Sequence, residues 1–571
     1  MILKNYWAQL LVIFLVIPSF ISMLRPGFFP IQDDMQAFRI QQMVKCFQDG
    51  QIPCRWIPDG GYQYGYPLFN FYAPSVYYLG GLIHLVGFQI IDTLKILFVF
   101  GFVFSALSMF VLAREFAGKW PAIIASVLYT YAPFRAAEVY VRGAIGEFWA
   151  FVFFPLLFWS SYKLINDGKN KQSLIFADAQ NKYLIYFMLS LAGIILTHNL
   201  LSVGFSIALA LWIAYWLLVR RSKIAIFKIT CGVVVGVLLS SFFLLPAFFE
   251  KQFVHIETLL GGYFDYRQHF VTFKQIFFSN NWGYGSSQLG PDDDLALSTG
   301  IIHWVVGALA GILAVINLKR KKEISILVLT LLSLDLFFLF LTHQKSSFIW
   351  EKVGVLPWFQ FPWRFLAIST FLLAFLSSFL IGFLGRSKYV VGVIILILTF
   401  VFYGNFFHPK TWADITDQDK FSGGNWEKAL TASIFDYLPI YAEKPPDNKA
   451  PDLPEVINGE VRFLDYKKAS DYQTGRLEII RSSTIRLPLY DFPGMEVYLD
   501  GKVIRHRHNE CANQTHCLGL ITFDAEKGER MLWVGLKDTP VRKLGNILSV
   551  VSVLVIFYLI YGIKRRHNAT S

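Results

Sequence analysis

The chain has 571 residues, of which 55% are hydrophobic and 16% charged, where a soluble domain carries roughly 25% charged residues. With 56 Phe, 27 Tyr and 15 Trp, this composition excludes a soluble enzyme, a disordered scaffold and a disulfide miniprotein. The net charge of +12 sits mainly in short loops between apolar runs, so it speaks for membrane topology and against nucleic acid as a partner.

Apolar runs recur near 6–23, 93–113, 120–135, 145–165, 183–198, 200–219, 226–246, 300–317, 324–342, 364–384, 389–406 and 546–563. Each approaches the roughly 17–25 residues that cross a bilayer, so the fold reads as an α-helical polytopic membrane protein with about 12 transmembrane helices. The first run lacks a small-residue cleavage site and reads as a retained span. Residues 74–88, with Tyr77 and Tyr78, are apolar but short, and read as an interfacial helix. Charge sets the orientation. With Lys4 inside, the basic groups at Arg114 and Lys119, Lys169 and Lys171, Arg220 to Lys223, Lys319 to Lys322, Arg386 and Lys388, and Lys564 to Arg566 all fall inside, as the positive-inside rule asks. Both termini are then cytoplasmic in a cell membrane, and segments 24–92, 247–299 and 407–544 lie outside.

Cysteine usage agrees. Cys46 and Cys54 share the first outer segment, Cys511 and Cys517 the last, and Cys231 lies in an apolar run. Two local disulfides in an oxidising compartment are expected, against four free thiols.

The first outer segment opens with Asp33 and Asp34, directly after a span and before an amphipathic helix over 35–47. Carboxylates at a membrane surface need a reason. One is a general base or divalent-cation ligand; the other is an N-terminal helix cap. Beyond the third span come Glu138, Arg142 and Glu147. The first two suit a structural ion pair, while Arg142 and Glu147 at the mouth of a span suit a phosphate and a sugar hydroxyl. His198 sits at an outer turn as a cap or a ligand. Segment 343–363 supplies Lys345 and, just after it, Arg364, either snorkelling cations or a lipid-phosphate site. Asp292 to Asp294 read as a solvated loop or a cation site. Asp335 lies inside an apolar run and must face a neighbouring helix.

Residues 407–544 change character. Short β-branched segments near 475–480, 484–489, 496–499, 518–523 and 531–536, separated by turns at Asp491 to Gly494 and Asp500-Gly501, predict a small β-sandwich. It either binds carbohydrate or braces the membrane part.

The stretch 32–80, with its Asp33-Asp34 start and the aromatic run Tyr62 to Tyr72, and the segment Val141 to Glu147 resemble the family of membrane proteins called 6-pyruvoyl-tetrahydropterin synthase related. The tail, with Tyr490 to Gly494 and Thr539 to Arg542, is similar to the YfhO-like membrane proteins. Together these resemble the GT-C glycosyltransferase superfamily. The resemblance implies a GT-C-like domain over 1–406, an extracytoplasmic β-domain over 407–544, and a last span with a basic tail over 545–571. It implies transfer of a hexose or pentose from a polyprenyl-phosphate donor to a glycan, lipid or protein acceptor on the outer face, with inversion. Asp33 or Asp34 would serve as base or hold a divalent metal, Mg or Mn. Arg142, Lys345 and Arg364 would meet the leaving phosphate, with Glu147 and His198 beside it. The competing readings are a transporter or flippase for lipid-linked sugar, and a non-catalytic assembly factor.

Overall fold

A computed structural model describes residues 2–166, 181–279, 282–290, 293–432 and 435–570. Lys169, Lys171 and Asp292 lie outside the described residues, as do the side chains of Lys4 and Lys564 to Arg566. All twelve predicted spans fall on helices, not all of them long enough to count as a span by length and composition. Among the described residues seven helices are long and apolar enough to cross a membrane, or eight if Lys223–Leu239 and Ser241–Phe249 form one span bent by 70°. Three more apolar helices are shorter: Tyr6–Ser19, Lys182–Thr197 and Ile301–Ile316. The run expected over 120–135 is only Lys119–Thr130, about 18 Å at 1.5 Å per residue. Pro133 then opens a new short helix, Pro133–Ala137. Ser75–Leu85, also helical, is likewise too short to span.

Leu366–Phe383 is the central helix, with Leu366 to Ile381 buried without interruption. The Phe-rich composition explains its surroundings. Phe154 stacks on Phe205 at 4.2 Å, Phe158 on Trp212 at 4.5 Å, and Phe158 meets Phe371 edge-on at 4.8 Å. Such flat, large side chains fill the space between three helices with favourable ring geometry. Asp335 faces a neighbouring helix as required, accepting a hydrogen bond from Ser369 Oγ at 2.5 Å.

The C-terminal region is antiparallel, with strands β1 Glu455–Lys468, β2 Tyr472–Tyr490, β3 Met495–Leu499, β4 Lys502–Ile504, β5 Leu520–Ala525 and β6 Gly528–Leu536. Instead of the two separate sheets of a sandwich, it is one six-stranded sheet in the order β1-β2-β6-β3-β4, with β5 also on β2. The long strand β2 makes this possible. Its first half pairs with β6 and its second half with β5. Leu477, Ile485, Val497 and Val534 of the sheet bury against Trp56, Tyr64 and Phe71 of the first outer segment. The expected turn at Asp500-Gly501 is a two-residue hairpin with positive φ at both positions, 50° and 76°, as a right-twisted hairpin requires.

A buried polar clamp fastens this sheet to the helices. Glu250 Oε2 accepts from Arg542 Nε at 2.9 Å and Asn70 Nδ2 at 2.7 Å, and its Oε1 from Thr539 Oγ1 at 2.6 Å. Arg55 donates to Asn70 Oδ1 at 3.1 Å and to Asn546 Oδ1 at 2.8 Å. Burial pulls Arg55 down to about 10, which leaves it charged at neutral pH. Cys46 is disulfide-bonded to Cys54, and Cys511 to Cys517.

Candidate functional site

The site begins with a backbone docking. The amide N–H of Gln32 donates to Val141 O, and that of Asp33 to Arg142 O, both at 2.9 Å. This ties segment 24–92 to a π-helical turn, Glu138–Arg142, which ends at Gly143 with φ 65°. Glycine is needed there. A Cβ would lie 2.4 Å from Ile31, in a backbone conformation that side chains avoid. Gln36 Nε2 adds a hydrogen bond to Gly143 O at 2.9 Å.

Asp33 is not a helix cap. The helix Gln36–Gln48 has Met35 at its N-cap and no side-chain cap bond. The Asp33 carboxylate instead accepts from Arg39 Nη1 at 2.9 and 3.0 Å and from Gln36 Nε2 at 2.8 Å, and it is 34% exposed. Arg39 is stacked on Tyr72 at 4.4 Å. Burial opposes its charge, but Asp33 and the neighbouring tyrosines hold it above its ordinary value. Asp34 turns elsewhere, to Lys420 Nζ at 2.6 Å.

Facing Asp33 is a second group of charges. Arg142 lies 4.4 Å above the Trp363 ring, with Nη1 on Glu138 and Nη2 on Glu147 Oε1 at 2.9 Å. The same Glu147 oxygen accepts from Arg364 Nε at 3.1 Å. Arg364 Nη1 is anchored by Phe359 O at 2.6 Å and Gln360 Oε1 at 2.9 Å. His198 caps the helix Asn199–Arg220 by accepting from the Leu201 N–H at 3.1 Å on Nδ1. Its proton therefore sits on Nε2, 3.7 Å from Glu147 Oε1. Burial brings His198 down to about 4, so it is neutral at pH 7. Burial pushes Glu138 up, against the pull of Arg142 beside it. The Oε2 atoms of Glu138 and Glu147 are buried without a hydrogen-bond partner among the described residues.

Asp33, Arg142, Glu147, His198 and Arg364 all line one cavity of about 440 Å³. That volume lies in the range of small-ligand sites, roughly 300–1,000 Å³. Its remaining walls include the aromatic residues Tyr72, Phe361 and Trp363, and the linker to the sheet adds Asp436 and Tyr437. Two sequence candidates do not reach it. Asp34 and Lys345 are absent from its lining, and Lys345 is exposed in a surface turn. Arg39 and Gln36 were not anticipated, although polar residues on the inner face of an amphipathic helix were a signal for them. Among the described residues no group of three His, Cys, Asp or Glu can hold a metal ion, and Asp33 and Asp34 each face a different cation. Asp293 is nine-tenths buried and accepts from the Leu295 N–H at 3.2 Å, a turn-forming role.

Residues 69–407 match the family described as 6-pyruvoyl-tetrahydropterin synthase related domain, membrane protein. No curated protein matches the chain. Among solved structures the chain is similar to the Archaeoglobus fulgidus oligosaccharyltransferase in the apo form, at 13% identity and a TM-score of 0.43, over 71% of this chain and 56% of that one. It is similar at 12% identity and a TM-score of 0.43 to archaeal oligosaccharyltransferase AglB from the same organism in complex with an inhibitory peptide and a dolichol-phosphate, over 72% of this chain and 57% of that one. The chain thus spans somewhat over half the length of the structures it matches, and the likeness is too distant to assign an activity.

Proposed function

The chain belongs to the 6-pyruvoyl-tetrahydropterin synthase related family of membrane proteins, and from that premise and the chemistry of the cavity we propose that it is a membrane glycosyltransferase of GT-C type. The donor is a sugar on polyprenyl phosphate. The acceptor is a hydroxyl or amide group of a glycan, lipid or protein on the outer face of a cell membrane. The observation that carries the reading is one cavity with a carboxylate, Asp33, on one wall and two arginines sharing a single carboxylate, Arg142 and Arg364 on Glu147, on another.

In this reading Asp33 accepts the proton of the acceptor group as its heteroatom attacks the anomeric carbon. Arg39 and Gln36 fix the carboxylate for that task. The bond from the anomeric carbon to the phosphate oxygen breaks, and Arg142 and Arg364 stabilise the charge that develops on the phosphate. A single displacement inverts the anomeric centre. To the degree that burial keeps Glu138 protonated, the wall formed by Arg142, Arg364 and Glu147 carries one net positive charge. His198, being neutral, adds none and can donate its Nε2 proton. The outer location, with both termini cytoplasmic, rests on the loop charges. Arg220 pairs with Glu323 at 2.7 Å and with Asn166 at 2.9 Å, which puts these three span ends on one side.

The test is transfer from a radiolabelled polyprenyl-phosphate sugar in membranes containing the protein. Asp33→Asn keeps size and polarity and should lower transfer by roughly 10²–10⁴-fold at unchanged expression. Transfer at the wild-type rate in that variant would end the assignment of Asp33 as base.

A further inference from the structure

A second, smaller cavity of about 190 Å³ lies on the outer sheet. It is below the size that holds a drug-like ligand and fits one ring-sized residue. Its polar wall is the loop closed by the Cys511–Cys517 disulfide. Four residues within that loop, Asn513, Gln514, Thr515 and His516, line the cavity. Asp447 and Asn448 adjoin it, and Glu455 and Arg486 come from β1 and β2. Tyr64, Leu518 and Leu520 give it an apolar side.

Three properties distinguish it from a surface dent. The loop is fixed before any ligand arrives. Besides the disulfide, the Gln514 N–H bonds Cys511 O at 3.2 Å, Gln514 Oε1 accepts from the Leu518 N–H at 3.0 Å, and the Glu443 N–H bonds Cys517 O at 2.9 Å. Ordering that is already complete does not oppose binding. The charge balance then selects the ligand. Arg486 is nearly buried and engaged by Glu455 Oε2 at 2.6 Å and Glu510 O at 3.1 Å. With Asp447 added, two carboxylates face one occupied guanidinium, which repels anions and favours hydroxyl donors. Hydrogen-bonding capacity is also left over. The Asn448 amide makes no hydrogen bond among the described residues, and Asp447 uses one oxygen for Thr515 Oγ1 at 2.8 Å. An uncharged molecule with many hydroxyls and one apolar face satisfies all three properties.

We propose that this cavity binds a single neutral pyranose residue of a glycan, as a binding site separate from the transfer cavity and independent of the reaction assigned to it. The same two chain segments, 62–72 and 436–448, supply residues to both cavities: Tyr64 and Asp447 here, Tyr72 and Asp436 there.

The test is saturation-transfer NMR on the full-length protein in nanodiscs. The probes are methyl glycosides of glucose, galactose, mannose and N-acetylglucosamine, with glucuronate and glucosamine as charged comparators. At least one neutral glycoside should receive saturation at millimolar concentration. Asn448→Ala combined with Asn513→Gly should weaken it roughly tenfold, as expected for lost hydrogen bonds to the Asn448 amide and to the Asn513 side-chain carbonyl oxygen, the Asn513 Nδ2 already serving Glu455 Oε1 at 3.4 Å. Asn513 has φ 62°, so glycine preserves the loop backbone. Both positions are exposed, and the Asn448→Ala single variant stands in if the double variant melts early. Absence of signal from every neutral glycoside, an unchanged signal in the variants, or preferential binding of glucuronate or glucosamine would each overturn the proposal.

Discussion

The group of Arg142, Glu147 and Arg364 and the group of Arg55, Glu250 and Arg542 use the same residue types at similar burial. Their side chains are 11%, 4% and 9% exposed in the first and 4%, 4% and 0% in the second. What differs is how acceptor capacity is used. In the clamp both oxygens of Glu250 are occupied, by Thr539 on one side and by Asn70 and Arg542 on the other. In the cavity one oxygen of Glu147 serves both arginines while the other serves none. The clamp leaves no oxygen of Glu250 open to a ligand, and its two spare donors, Arg55 Nε and Arg542 Nη2, are buried. The cavity group keeps cations that are only partly neutralised, and it opens onto space. A buried ion pair alone therefore says little about function; its unfilled valence, and what it faces, say more.

Four experiments would break or sharpen that contrast. The largest effect is expected on chemistry. Arg364→Gln should lower sugar transfer by roughly 10²–10³-fold, the usual range for one lost donor to a developing charge, in protein that still folds. Glu250→Gln should do the reverse. It leaves Arg542 without its carboxylate partner and should destabilise by about 3–5 kcal/mol, read by thermal melting, with transfer per folded molecule preserved. An equal loss of transfer in both variants would erase the distinction.

A smaller effect follows from pH. Burial raises the Glu138 carboxyl, so the folded protein keeps a proton that the unfolded chain releases near pH 4.3. Because the folded state then binds more protons, stability should fall as pH rises from about 5 upward, by linkage. Glu138→Gln should flatten that slope in melting curves. The smallest effect is expected at Asp34. Its bridge to Lys420 is 44% exposed and worth about 0–1 kcal/mol. Asp34→Asn should therefore leave transfer and melting close to wild type, and a loss like that of Asp33→Asn would return both carboxylates to the site.

Much of this architecture is legible in the sequence because apolar runs are long and loop charges short. Where reading fails, the cause is local. The run 226–246 looks continuous, but it bends at Ser240 and Ser241, where paired serines can turn their hydroxyls onto the preceding helix. Strand β1 escapes notice because its outward positions are charged and its pattern is only half-buried. Arg142 and Arg364 could be named from topology alone, since both sit at span mouths. Lys345 could not be excluded that way, because position along a span end does not fix the direction of a side chain. Arg39 was hidden for a different reason. It lies six residues from its partner Asp33, a separation that no helix-face rule connects, since Asp33 precedes the helix.

The π-helical turn over Glu138–Arg142 bears on how this site can change over generations. A wider turn accommodates one more residue than the α-helix around it, and such turns are frequent at functional sites. Substitutions within it can be absorbed one at a time. A single-residue deletion removes the extra residue that makes the turn wide, and with it the placement of the Val141 and Arg142 carbonyls that dock Gln32 and Asp33. Lineages diverging from this chain should therefore vary the identity of residues around the turn more readily than its length.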